Sequence, residues 1–157
     1  MAISTKVNIG ELVIGKGDVN LVAYGVGSCV IVACYDREKE IAGMLHAILP
    51  EKPKKKSDPD KYVDSGVEHL VKLLMKEDVS IINMEAKIYG GARMFDIKTS
   101  GDTIGDRNTE KAREVLAKKG IPIAGEDTGS DYGRTVDFSV RAKKAVVKSF
   151  SKGSKEV

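Results

Sequence analysis

Two apolar runs lie close together in the first part of the chain: Val30-Ile31-Val32-Ala33-Cys34-Tyr35 and Ile41-Ala42-Gly43-Met44-Leu45-His46-Ala47-Ile48-Leu49. Each reads as a strand, and the two as neighbouring strands. A glycine-hinged turn, Gly25-Val26-Gly27-Ser28-Cys29, opens the first run, and His46 lies inside the second, 17 positions after Cys29. Adjacent strands would therefore bring a sulfur and an imidazole together, which is the make-up of a thiol nucleophile with its base. A free cysteine, with a pKa of about 8.5, is only a few per cent thiolate at neutral pH, so it needs that ring. The chemistry such a site allows is acyl transfer through a thioester. The thiolate attacks an acyl carbon, backbone N–H groups of the turn around Gly27 and Ser28 hold the oxyanion, and the imidazolium protonates the leaving group before activating water. On spacing alone a packing role for both residues stays open, since cysteine behaves as a small hydrophobe and a lone buried histidine is commonly a core side chain.

The chain has only two cysteines, Cys29 and Cys34. Their odd separation in an extended run points them to opposite faces, so they are not expected to pair, and Cys34 reads as core packing. Cys29, Cys34, His46 and His69 contain no closed set of ligand spacings, so no metal and no cofactor is expected. The glycines Gly25 and Gly27 invite comparison with a dinucleotide-binding turn, but Val30 occupies the third fingerprint place, and a β-branched run follows where a helix is needed.

At 157 residues the chain suits one domain, read as 1–157, long enough to bury about 70% of its unfolded surface. It shows neither a secretory pattern near its start nor an apolar run of about 20 residues, and a cytoplasmic setting is expected. A formal charge of +3 does not point to nucleic acid without a concentrated patch. The one dense patch, Lys52-Pro53-Lys54-Lys55-Lys56, lies between prolines and reads as a solvated loop; its place just after His46 also makes it a candidate docking segment for an acidic surface.

The first of two amphipathic helices is expected after an Asp58 cap with Pro59 at its first position, burying Val63, Val67, Leu70, Val71 and Leu74 and leaving His69 on the wet face. The second is expected over about residues 109–119, capped by Asn108, burying Ala112, Val115 and Leu116, and ended by Gly120 and Pro122. Residues 86–89, 121–124, 135–140 and 145–149 read as strands, and the polar residues 151–157 as a frayed tail. Gly90, Gly91 and Arg93 are candidates for a binding rim or for a glycine turn with a paired arginine. Asp127, Asp131 and Arg134 read as turn structure and salt links.

Six ordered segments carry a likeness across nearly the whole chain: Gly25–Val30, Met44–Pro50, Lys61–Ser65, Lys87–Phe95, Ile104–Asn108 and Gly133–Val136. The chain resembles CheD, the chemoreceptor glutamine deamidase family of chemotaxis. That resemblance implies an α+β fold with mixed β-sheets packed together and flanked by helices, similar to the catalytic domain of cytotoxic necrotizing factor toxins. It also implies hydrolysis of glutamine side-chain amides to glutamate on methyl-accepting chemoreceptors, with the thiol on Cys29 and the imidazole on His46. A second implied partner is CheC, a phosphatase of the phosphorylated response regulator; a catalytically weak binding module that regulates such a phosphatase is the alternative. The family's orienting threonine falls on Ala23, which has no hydroxyl, so the third orienting group is unknown; a backbone carbonyl is one substitute.

Overall fold

The computed structural model describes residues 2–94 and 103–157; Phe95, the end of one motif named above, lies outside them. Among the described residues there are ten strands and two α-helices. One sheet has the order β1 (Ile3–Lys6), β3 (Val19–Val26), β8 (Arg134–Ser139), β9 (Lys144–Ser149), β10 (Gly153–Glu156); the other runs β2 (Leu12–Lys16), β5 (Ile41–Ala47), β4 (Val30–Asp36), β6 (Met84–Gly90), β7 (Ile123–Thr128). Each sheet is mixed: β1 runs parallel to β3 and β6 parallel to β7, while the remaining pairs are antiparallel. The architecture is thus α+β, as expected.

Alternation along β4 sorts the core into two layers. Val30, Val32 and Cys34 pack with α1 (Val63–Lys76) and α2 (Ile104–Lys118) through Val67, Leu70 and Leu116. Ile31, Ala33 and Tyr35 face the other sheet and meet Leu21, Val136 and Phe138. A strand covered on both faces has no solvated side to carry polar residues, which is why the run is apolar throughout. Each fully buried aliphatic side chain contributes about 1.5–3 kcal/mol.

The helices depart from expectation at their starts. Asp58 does cap, accepting from the Asp60 N–H, but it caps a single 3-10 turn at Pro59–Lys61; α1 begins after Tyr62 and buries the predicted apolar face together with Gly66. α2 begins at Ile104 because Thr103 and Asp106 form a reciprocal capping box, each side chain accepting from the other's N–H at 3.2 Å. Asn108 is therefore inside the helix and does not cap it. The last residues do not fray: β10 pairs along β9, and the N–H groups of Val157 and Ala145 each donate to the other's carbonyl. Edge pairing satisfies this backbone although its side chains stay in water. The lysine loop is exposed at Lys52, Lys54, Lys55 and Lys56. Among the described residues no helix is long and apolar enough to cross a membrane.

Candidate active site

The turn that carries Cys29 joins the two sheets. The pairing of β3 with β8 slips between Ala23 and Val26, and Gly25 takes a φ of +62°, a left-handed conformation that favours glycine. The last three carbonyls of the turn are then pinned: the Ala92 N–H donates to Gly27 O at 2.9 Å, the Gly91 N–H to Cys29 O at 2.8 Å, and Asn108 Nδ2 to Ser28 O at 2.8 Å. Gly90 permits this closeness, since a Cβ there would stand 2.5 Å from Cys29 O. Among the described residues the N–H groups of Gly27 and Ser28 donate to no acceptor, while the Cys29 N–H interacts with its own sulfur.

β4 and β5 supply the pair. Ile31 lies opposite His46, and Cys29, two residues earlier in the same run, packs on the same inter-sheet layer as Ile31. Cys29, one residue before β4, and His46, opposite Ile31, thus face the same inter-sheet layer. Cys29 is partly exposed, while His46 is buried. His46 Nδ1 lies 3.1 Å from the carbonyl oxygen of Val7. A carbonyl only accepts, so the ring proton sits on Nδ1 and Nε2 keeps a free lone pair. Nε2 is buried with no hydrogen-bond partner, so sulfur and nitrogen are not bonded to each other in this structure. The segment that holds the ring is itself held: the Val7 N–H donates to Val22 O at 2.8 Å, Gly10 N–H to His46 O at 2.8 Å, and His46 N–H to Glu11 O at 3.0 Å.

Burial sets the protonation of both groups. It pushes the Cys29 thiol above its ordinary value of 9.0, a rise tempered by its own N–H. It pulls His46 below 6.5, against the opposing effects of the Val7 carbonyl and the Glu11 carboxylate. At neutral pH the resting pair is therefore a thiol and a neutral imidazole, which is the form in which the ring accepts a proton.

Ala23 is fully buried and offers no hydroxyl; the group bonded to the imidazole is the Val7 carbonyl. Cys34 lies on the opposite face, sealed among the helices, with its thiol pushed up to about 12 by burial. His69 is half-exposed and pairs with Asp60 at 2.8 Å. Arg93 pairs with Asp106 at 3.0 Å. Arg134 is buried, bonds Asp127 at 3.2 Å and stacks over Tyr132, while Asp131 sits on the exposed loop beside it.

Sequence reasoning allowed a backbone carbonyl beside His46 without identifying it, because the Val7 carbonyl carries no side-chain signal at all, and it missed the bridge made by Asn108. Asn108 did carry a signal, because it stands four and eight residues before Ala112 and Leu116 on the stripe that α2 buries. Its Nδ2 donates to Ser28 O and to Ile48 O, both at 2.8 Å, while its Oδ1 is buried without a partner, which costs about 1–3 kcal/mol.

Comparison with known proteins fits this scaffold. A protein of Pyrococcus horikoshii described as a probable chemoreceptor glutamine deamidase CheD is 40% identical over 94% of this chain and 93% of its own length. Its counterpart in Pyrococcus abyssi is 43% identical over 90% and 91%, and one from Methanosarcina acetivorans 39% over 96% and 95%. A crystal structure of a Neisseria meningitidis protein of the family DUF152 superposes with a TM-score of 0.55 at 12% identity. It matches 82% of this chain, which spans only 64% of that one, and the likeness extends to the fold alone. Residues 48–149 match the family model described as CheD chemotactic sensory transduction. On that match and these relatives, the chain belongs to the CheD family.

Proposed function

We propose that this chain is a protein-glutamine deamidase that converts glutamine side chains of chemoreceptors to glutamate, with Cys29 as nucleophile and His46 as base and acid. The observation that carries the reading is the state of His46: Nδ1 tied to the Val7 carbonyl, Nε2 bare, on the face it shares with a partly exposed thiol. The names of the CheD relatives supply the substrate class.

Nε2 takes the thiol proton as Sγ attacks the amide carbon of the substrate. The oxyanion that forms faces the N–H groups of Gly27, Ser28 and Cys29, whose geometry the pinned carbonyls hold in advance. The C–N bond then breaks, the imidazolium gives its proton to the departing nitrogen, and ammonia leaves a thioester behind. Water, deprotonated by Nε2, attacks that thioester; the thiol returns and a carboxylate remains. Each turnover adds one negative charge to the receptor.

This domain spans residues 1–157 and works in the cytoplasm in our reading. The family resemblance adds a CheC-type phosphatase as a second partner. Ammonia release from a glutamine-bearing chemoreceptor fragment is the test. Cys29→Ala is expected to lower it by at least about 1,000-fold, and release at the native rate by that variant overturns the assignment. Binding of the fragment without ammonia release by the native protein supports the binding-module reading instead.

A further inference from the structure

We infer that Asn108 is a positioning residue for the deamidation step, clamping the nucleophile's turn to the segment that follows the base. The inference rests on the reading of Cys29 and His46 given above. One carboxamide spans two elements: its Nδ2 donates both hydrogens, one to the carbonyl of Ser28, immediately before Cys29, and one to the carbonyl of Ile48, two residues after His46. Both partners are carbonyls, which only accept, so the donating end of the side chain must face them. Oδ1 is left buried with no partner, so the side chain makes no other bond among the described residues and its whole polar role is this bridge.

The backbone around it fixes where that amide stands. The capping box of Thr103 and Asp106 sets the first turn of α2, and Asp106 also pairs with Arg93. Gly105 lets the helix sit against the strand end, since a Cβ there would lie 2.6 Å from Gly91 O. The helix thereby arrives in a fixed register, with Asn108 between the two carbonyls. Cys29 and His46 are unbonded at rest, so their approach during proton transfer depends on how firmly the turn and the end of β5 are held relative to each other. Asn108 is fully buried, so it does not itself meet the substrate, and its effect falls on turnover and not on binding.

Asn108→Ala removes both donors. The expected result is a fall in kcat of about 10- to 100-fold for ammonia release from a glutamine-bearing chemoreceptor fragment, with KM within about threefold of native. Asn108→Asp keeps the shape and serves if the alanine variant does not fold. Its buried carboxyl donates one hydrogen only when protonated, so its activity relative to the native protein should rise as pH falls. Native kcat in either folded variant, or a raised KM with kcat retained, overturns the inference. Cys29→Ala and His46→Ala run in the same assay keep the two failures apart: if those two are active, the reading of the site fails; if they are silent while both Asn108 variants turn over normally, only the clamp fails.

Discussion

Cys29 and Cys34 stand five positions apart along one run of the chain, and the same side chain meets two unlike settings there. Cys34 points at the helices, where Val67, Leu70 and Leu116 seal the layer, and burial pushes its thiol up to about 12. Cys29 points at the inter-sheet layer, where it is only partly buried; burial raises its thiol too, and in each cysteine a backbone N–H opposes the rise. Strand parity chooses the face, and position along the strand chooses the access. Residue type alone decides neither.

Alkylation sharpens that contrast most. Iodoacetamide should modify Cys29 of the native protein at least about 100-fold faster than Cys34, which reacts only once the helices open. The Cys29 rate should climb with pH beyond 9.0, as expected of a thiol whose pKa is raised. A rate already level at neutral pH would mean that a thiolate and an imidazolium exist at rest, and the neutral pair derived above would be wrong. Peptide mapping of the modified sites checks both halves.

The buried ring gives a second, smaller effect. Folding lowers the pKa of His46, so between that value and 6.5 the unfolded chain binds more protons than the folded one. The contribution is complete above 6.5 and is lost as pH falls through the folded value. Denaturant midpoints should therefore decline on acidification below 6.5, and His46→Gln should remove part of that decline. An identical decline in the variant assigns it to other groups.

The smallest effect concerns Ala23. Ala23→Thr offers a hydroxyl where Val7 already supplies an acceptor, so ammonia release should stay within about threefold of native. A large gain would show that the carbonyl holds the ring poorly.

Much of this arrangement is legible in the sequence, and the exceptions have physical causes. The runs at Val30–Tyr35 and Ile41–Leu49 announce strands because both faces are buried, and the parity of Cys29 and Cys34 follows from that alone. Val63, Val67, Leu70 and Leu74 mark α1 for the same reason, since burial leaves a periodic trace. β1 and β10 leave none, being largely exposed edge strands made by pairing and not by packing. Asn108 resembles a helix cap because asparagine is a common one; here the Thr103–Asp106 box had already started the helix, and the amide was free to reach Ser28 and Ile48.

The grip on the imidazole comes from the main chain of Val7, and every amino acid has that oxygen. No single codon change can delete it. Only a detour in the path between the first two strands would let the ring swing, so what the ring demands of this segment is its course, while the side chain of Val7 answers to the core it packs in.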